Sequence, residues 1–391
     1  MYNGALLKNL VLSAGVALAG KALNTWPEEA QGAAACSSTY CPLPVNMCQY
    51  TPAQAVLNLE SMIDFYRSNK SPKIKKLDKS NAKVDQAQVR SLQEALVFHG
   101  YLDQVRNGEL DAETLDAISV YRRVNALPSS GRIDSYLVSH LAISSGRRVK
   151  LLEEVLDKVR FMSAENSIHV NIPEFKLRFY SDGMLKAELD VIVGSRKEDG
   201  KWHTNVQRGS LEKVEVNPWW NVPRGDMTDE VRKDLERYPL LRSTMVQLVS
   251  GSWVPVKGGV HGARFRQKPG NGNSLGRLAY VFNSRYGEFL HGTPNKRLFR
   301  NNVRAYSHGC IRLEDEFYLF NALKDAGLAD ADLDGLLNAR EGNTYKTGYV
   351  VLSEPVDVHV AYLRAWVEEG SYGLRMVMPP DVYDYGDSRF R

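Results

Sequence analysis

Only four cysteines occur in 391 residues, and neither they nor the eight histidines show the CxxC or HxxxH spacing of a metal-binding loop or helix. No metal and no cofactor is therefore expected. Charge of one sign is also lacking: Lys plus Arg, 50, exceed Asp plus Glu, 46, by only four. So small an excess excludes the clustered basic face that nucleic-acid binding requires. Long apolar runs are absent beyond Leu23, which leaves the N-terminus as the one place where the chain has a membrane-directed signal. What remains is 43% apolar and 25% charged, an ordinary globular composition with length enough for two domains.

The N-terminal signal consists of Lys8 followed by the apolar run Leu10 to Ala19, the length of a secretory h-region. Two small-residue cleavage sites follow, Ala17-Leu18-Ala19 and Ala33-Ala34-Ala35, and an uncleaved anchor from Leu6 to Leu23 is the alternative. Each reading exports the body of the protein to the periplasm or cell envelope. Cys36, Cys41 and Cys48 crowd one Pro-containing segment, as befits an oxidising compartment. A disulfide staple is preferred there over lipidation at Cys36, and the pairing stays open.

Residues 1–50 thus read as export signal and tether, and 51–82 as a helix followed by a Lys-rich linker. Helical periodicity resumes with Val89, Leu92, Leu96 and Val97, Gly100 stands as a C-cap glycine, and Asp111 as the N-cap of a second helix carrying Leu115, Ile118 and Tyr121. This small all-α segment, 83–145, leads through a connecting helix, 146–166, into a mainly β segment, 167–391. Strands are predicted at Ile168–Ile172, Leu189–Val193, Leu211–Val216, Leu278–Asn283 and Glu288–His291, with Ser181-Asp182-Gly183 as a hairpin turn. A polar stretch of about residues 224–257 is too long for a hairpin loop and is expected to be an inserted lid, with Trp219 and Trp220 lining the cleft beside it. The fold class is α+β.

The chemistry concentrates in residues 291–315, HGTPNKRLFRNNVRAYSHGCIRLED, where fifteen residues, 292 through 306, separate His291 from Ser307-His308-Gly309-Cys310. If this segment is extended, alternation places His308, Cys310 and Arg312 on one face. A thiolate is the effective nucleophile, so His308 is the candidate base, and a helix starting after Leu313 would lower the thiol pKa further. Gly309 would expose backbone N–H groups to an oxyanion, Arg312 would grip a carboxylate, and Ser307 would help bind substrate. His291 would approach from a neighbouring strand. A lone Cys is more often a small buried hydrophobe than a nucleophile, so the case rests on the whole constellation.

The spacing His, fifteen residues, Ser-His-Gly-Cys resembles the catalytic signature of YkuD-type L,D-transpeptidases. IHVNIPEFKLRFYSDG, VEVNPWWNVP, RQKPGNGNSLGRLAYVF and VAYLRAWVEEG are similar to its larger, lid-bearing, YcbB-like subgroup. LQEALVFHGYLD, GELDAETLDAISVYRR and LPSSGRID resemble the small helical peptidoglycan-binding domain, which usually has Gln where this chain has Arg122. The resemblance implies a YkuD-like β-sandwich with Cys310 as nucleophile, His308 as base and His291 as a helper near the acceptor; many members have Asn at the position of Arg312. It implies a ping-pong reaction in which Cys310 attacks the third residue of a peptidoglycan stem, D-Ala leaves, and an amine takes the acyl group. That amine would belong to a second stem, a lipoprotein or a D-amino acid, and carbapenem-type β-lactams would acylate the same thiol. An L,D-carboxypeptidase or amidase using the same thioester, or a catalytically silent wall-binding protein, are the competing readings.

Overall fold

The computed structural model describes residues 52–75, 84–128, 132–163, 165–196, 200–256, 260 and 264–384. The segment expected to direct export, with Cys36, Cys41 and Cys48, lies outside them. Among the described residues no helix is long and apolar enough to cross a membrane.

Among the described residues five helices come first: α1 (Pro52–Ser68), α2 (Gln86–Phe98), α3 (Ala112–Val124), α4 (Ser135–Leu141) and α5 (Ser145–Val159). Aspartates start three of them, Asp85, Asp111 and Asp134 each accepting the N–H of the residue three further on. Gly100, at φ 77°, ends α2: its N–H donates to the Val97 carbonyl and that of Tyr101 to the Leu96 carbonyl, the paired bonds of a Schellman cap. Leu92, Leu96, Ile118, Tyr121, Leu127 and Leu137 form the core between α2, α3 and α4. Full burial of each such side chain stabilises by about 1.5–3 kcal/mol. Arg122 is buried and donates to the carbonyls of Pro128 and Arg132 and to the Asp134 carboxylate, so it ties α3 to the start of α4.

Then come β1 (Ser167–Asn171), β2 (Lys176–Ser181), β3 (Met184–Gly194) and β4 (Gln207–Val216). An insertion follows, made of β5 (Trp220–Asn221), α6 (Asp226–Arg237), α7 (Pro239–Arg242), β6 (Met245–Val249), β7 (Ser252–Pro255) and β8 (Phe265–Gln267). The main sheet resumes with β9 (Leu278–Phe282), β10 (Leu290–His291), β11 (Ala305–Ser307) and β12 (Ile311–Leu313). Last in this stretch are α8 (Glu316–Asp325), α9 (Leu333–Asn338), the short pair β13 (Arg340–Glu341) and β14 (Thr344–Tyr345), and β15 (Gly348–Ala361). The strand order is β11-β3-β12-β10-β9-β4-β15-β1-β2, and β3 also pairs with β2, so the sheet closes on itself around Ile168, Phe179, Val191, Val214, Leu290, Ile311 and Val358. The long strand β15 escapes sequence prediction because Pro355 interrupts it. A proline has no N–H for the ladder, and the register with β4 shifts between Val351 and Val356.

The insertion is larger than the predicted 224–257 and carries helices that a mainly β reading did not foresee. Its sheet, in the order β5-β8-β6-β7, spans residues 220–267 and covers a core of Val222, Val231, Leu235, Met245, Val256 and Phe265.

The expected β segment to residue 391 is also corrected. The chain divides into two compact units: residues 165–182 with 186–362, and the helices with 183–185 and the residues from Leu363 on. A C-terminal hairpin, β16 (Trp366–Gly370) and β17 (Gly373–Val377), belongs to the helical unit. There the Tyr101 hydroxyl donates to the Met376 carbonyl, the Met378 N–H to Asn125 Oδ1, and His140 Nε2 lies 2.8 Å from the Met378 carbonyl. Backbone polar groups of the hairpin need partners once buried, and the helices supply them.

Candidate active site

Two strands place the chemistry. β10 runs parallel to β12, with Leu290 opposite Ile311 and His291 opposite Arg312, and the Ile311 N–H donates to the Phe289 carbonyl at 3.0 Å. β12 is antiparallel to β3 on one side, while β11 is parallel to β3 on the other. His308, Gly309 and Cys310 must therefore cross the end of β3, where Gly194 leaves room: a Cβ there would lie 2.0 Å from the Trp202 carbonyl oxygen. Thr204 pins the crossing, its hydroxyl donating to the Gly309 carbonyl at 2.7 Å and accepting from the Gly194 N–H at 2.8 Å.

This crossing is a bend, and it corrects the expectation of an extended segment. Gly309 has φ 107°, a conformation that side chains of L-residues rarely adopt. Strict alternation ends there, and with it the reason for placing His308 beside the thiol. The His308 ring instead packs edge-on against Trp202, centroids 4.6 Å apart, and its Nε2 lies 3.1 Å from Glu230 Oε2 on α6 of the insertion. Ser307, expected at the substrate, is buried, and its hydroxyl donates to the Cys310 carbonyl, closing the bend.

His291 is buried, with Nδ1 2.6 Å from the Gly292 carbonyl. A carbonyl only accepts, so Nδ1 carries the proton and Nε2 keeps its lone pair. Burial first, then the Arg312 and Lys296 charges, push its pKa down to about 3 against the opposing Gly292 bond, so the imidazole is neutral.

Cys310 is a half-buried free thiol. Burial pushes its pKa up to about 11 and Glu288 adds to the rise, while the Phe289 N–H and the Arg312 guanidinium oppose it. The expected lowering by the following helix is thus corrected: α8 begins at Glu316, and Asp315 caps its first N–H groups with its own carboxylate. Arg312 is itself desolvated, which lowers its pKa, and it forms no ion pair among the described residues. The N–H groups of Gly309 and Cys310 are likewise without a partner among the described residues.

Trp219 stacks on the Arg266 guanidinium, 4.5 Å from ring centroid to charge, and Trp220 packs on the core of the insertion. Sequence reasoning missed Trp202, Thr204 and Glu230, remote from the motif, and Glu288, three residues before it, each of a residue type too common to stand out. No group of three His, Cys, Asp or Glu side chains suited to a metal occurs among the described residues.

Residues 165–352 match the family model of the YkuD L,D-transpeptidase catalytic domain. A Haemophilus influenzae protein named "Putative L,D-transpeptidase" is 32% identical over 232 residues, 56% of this chain and 44% of its own length, so the chain spans less than half of that relative. Among solved structures, L,D-transpeptidase 3 from Mycobacterium tuberculosis aligns over 50% of this chain and 60% of its own, at 13% identity and TM-score 0.26. An L,D-transpeptidase (residues 123–326) from Xylanimonas cellulosilytica aligns over 74% and 100%, at 13% identity and TM-score 0.22. The motif of Cys310 thus lies inside the segment of this chain, residues 165–352, that matches the YkuD L,D-transpeptidase catalytic domain.

Proposed function

We propose that the protein is a peptidoglycan L,D-transpeptidase with Cys310 as nucleophile and His291 as general base. The observation that carries this reading is the neutral His291, its Nδ1–H committed to the Gly292 carbonyl, on the strand beside the one that Cys310 opens. The parallel register of β10 with β12 puts His291 opposite Arg312, two residues along from Cys310. The thiol proton passes to His291 Nε2 as sulfur attacks the carbonyl carbon of the third stem residue. The tetrahedral oxyanion meets the N–H groups of Gly309 and Cys310. It collapses to a thioester as the carbon–nitrogen bond breaks and His291 returns the proton to the departing D-Ala amine. An acceptor amine then attacks the thioester, its proton goes to His291, and the sulfur leaves to be reprotonated.

Arg312, without an internal carboxylate, offers its guanidinium to a stem carboxylate. The insertion would act as a lid, since Glu230 meets His308 in the nucleophile bend, with Trp219 and Trp220 at its root. Export to the cell envelope and recruitment to the wall by the helical unit complete the reading. Acceptors are a second stem, a lipoprotein lysine or a free D-amino acid, and carbapenems would add covalently to Cys310.

Incubation with a disaccharide tetrapeptide followed by mass spectrometry tests the reaction. Cross-linked dimers with loss of D-Ala are expected, and none from Cys310→Ala. Trimmed monomers alone would make the enzyme a carboxypeptidase, and transfer retained in Cys310→Ala would overturn the site.

A further inference from the structure

One buried carboxyl group near the nucleophile has no part in this mechanism. Glu288 is 6% exposed, and its neighbours are all neutral donors: the Asn205 N–H at 3.1 Å, Asn205 Nδ2 at 2.8 Å and Gln207 Nε2 at 2.6 Å. Gln207 is steadied in turn by the Ser284 hydroxyl at 2.6 Å, and that hydroxyl accepts the Glu288 N–H at 3.1 Å. No cation pairs with Glu288 among the described residues. A buried carboxylate without a counter-ion is costly, which suggests a reason for keeping it.

Its position supplies the reason. A Cβ at Gly309 would lie 2.9 Å from Glu288 Oε1, so the carboxyl rests against the backbone of the nucleophile bend. The segment that holds it, Thr204 to Gln207, also holds that bend through Thr204. We propose that Glu288 is a proton-linked positioning residue for Cys310: neutral, it supports the bend and lets the thiol ionise, and ionised, it holds the thiol in its protonated form. The inference rests on Cys310 being the nucleophile.

Among the described residues the charged and titratable groups around this pair are few. β12 contributes Arg312, which favours the thiolate; β10 contributes His291, which stays neutral; the 204–207 segment contributes only amides. Burial pushes the Glu288 pKa up to about 7 against the bonds from Asn205 and Gln207. As pH rises through that value Glu288 loses its proton to solvent, and the new negative charge opposes a second one on sulfur. The thiol pKa then rises, and the thiolate fraction climbs less steeply with pH than that of an isolated thiol.

The experiment is the pH dependence of Cys310 alkylation by iodoacetamide in the full chain, followed on the Cys310 peptide by mass spectrometry so that the other cysteines do not contribute. In the wild type the rate should climb less than tenfold per pH unit near pH 7, because two ionisations oppose each other. Glu288→Gln keeps the shape and an acceptor oxygen but removes the charge; it should restore a tenfold climb per unit and react roughly tenfold faster at pH 8.5, with little change at pH 6. A wild-type rate that climbs tenfold per unit from pH 6 to 9 overturns the proposal even if the variant fails to fold. Superposed profiles of wild type and a folded Glu288→Gln also overturn it, whereas loss of transfer in Cys310→Ala still upholds the nucleophile. Loss of alkylation at every pH in a folded Glu288→Gln would mean that Glu288 acts by shape alone, which again sinks the charge-linked role.

Discussion

Single residues decide the chemistry through what their polar atoms already hold. His291 and His308 are the same residue type in the same motif, yet one has Nδ1 fixed on a carbonyl and the other faces a carboxylate. A general base contributes about 10²- to 10⁴-fold to rate. His291→Gln should therefore lower kcat for tetrapeptide acylation by that factor, whereas His308→Gln should lower it less than tenfold and act mainly on KM. Steady-state kinetics on a soluble tetrapeptide check this, and the reverse ranking would return the base to His308. The residues of the motif were legible in the sequence because Ser-His-Gly-Cys is rare. The partners of the two rings were not, because the chain bends at Gly309, whose φ of 107° no spacing rule anticipates.

At the scale of elements, the insertion behaves as a small body with its own core. Leu235 on α6 is fully buried there, on the helix that brings Glu230 to His308. Leu235→Ala should cost this core about 2–5 kcal/mol, enough to loosen α6. Faster proteolysis within residues 224–257 and a raised KM for the tetrapeptide are expected, with the near-ultraviolet circular dichroism of the β unit largely kept. Unchanged kinetics despite proteolytic loosening would reduce the insertion to decoration. Its existence was readable from loop length. Its reach to Gln267 was not, because β8 joins the sheet from beyond a stretch with no strand alternation.

Across the whole molecule, buried neutral histidines link stability to pH. Burial pushes His140 and His291 down to about 3, and His99 well below its ordinary value of 6.5. The unfolded chain binds protons at these positions more readily than the folded one. The stability they contribute is present above about 6.5 and is lost as pH falls from there toward 3. Each histidine accounts for up to about 1.4 kcal/mol per pH unit in that window. Glu288 has the opposite sign: its raised pKa favours the folded form in acid and ceases to do so as pH rises through about 7. Urea unfolding should thus show a clearly lower midpoint at pH 4.5 than at pH 7.5, with protons taken up on unfolding. Equal midpoints would mean that the histidines are solvated and titrate normally.

The sequence by itself determined the α+β class, the Asp-capped helices, most strands of the β unit and the Cys310 motif, since caps, periodicity and rare motifs are local in the chain. Only the tertiary structure decided what His291 and His308 each face, that Glu288 lies against Gly309, and that the C-terminal hairpin completes the helical unit. Those outcomes depend on pairs far apart in the chain, such as Asn205 with Glu288 and Tyr101 with Met376, and on burial, which sets the charge of each group. Neither is written in the neighbours of a residue along the chain.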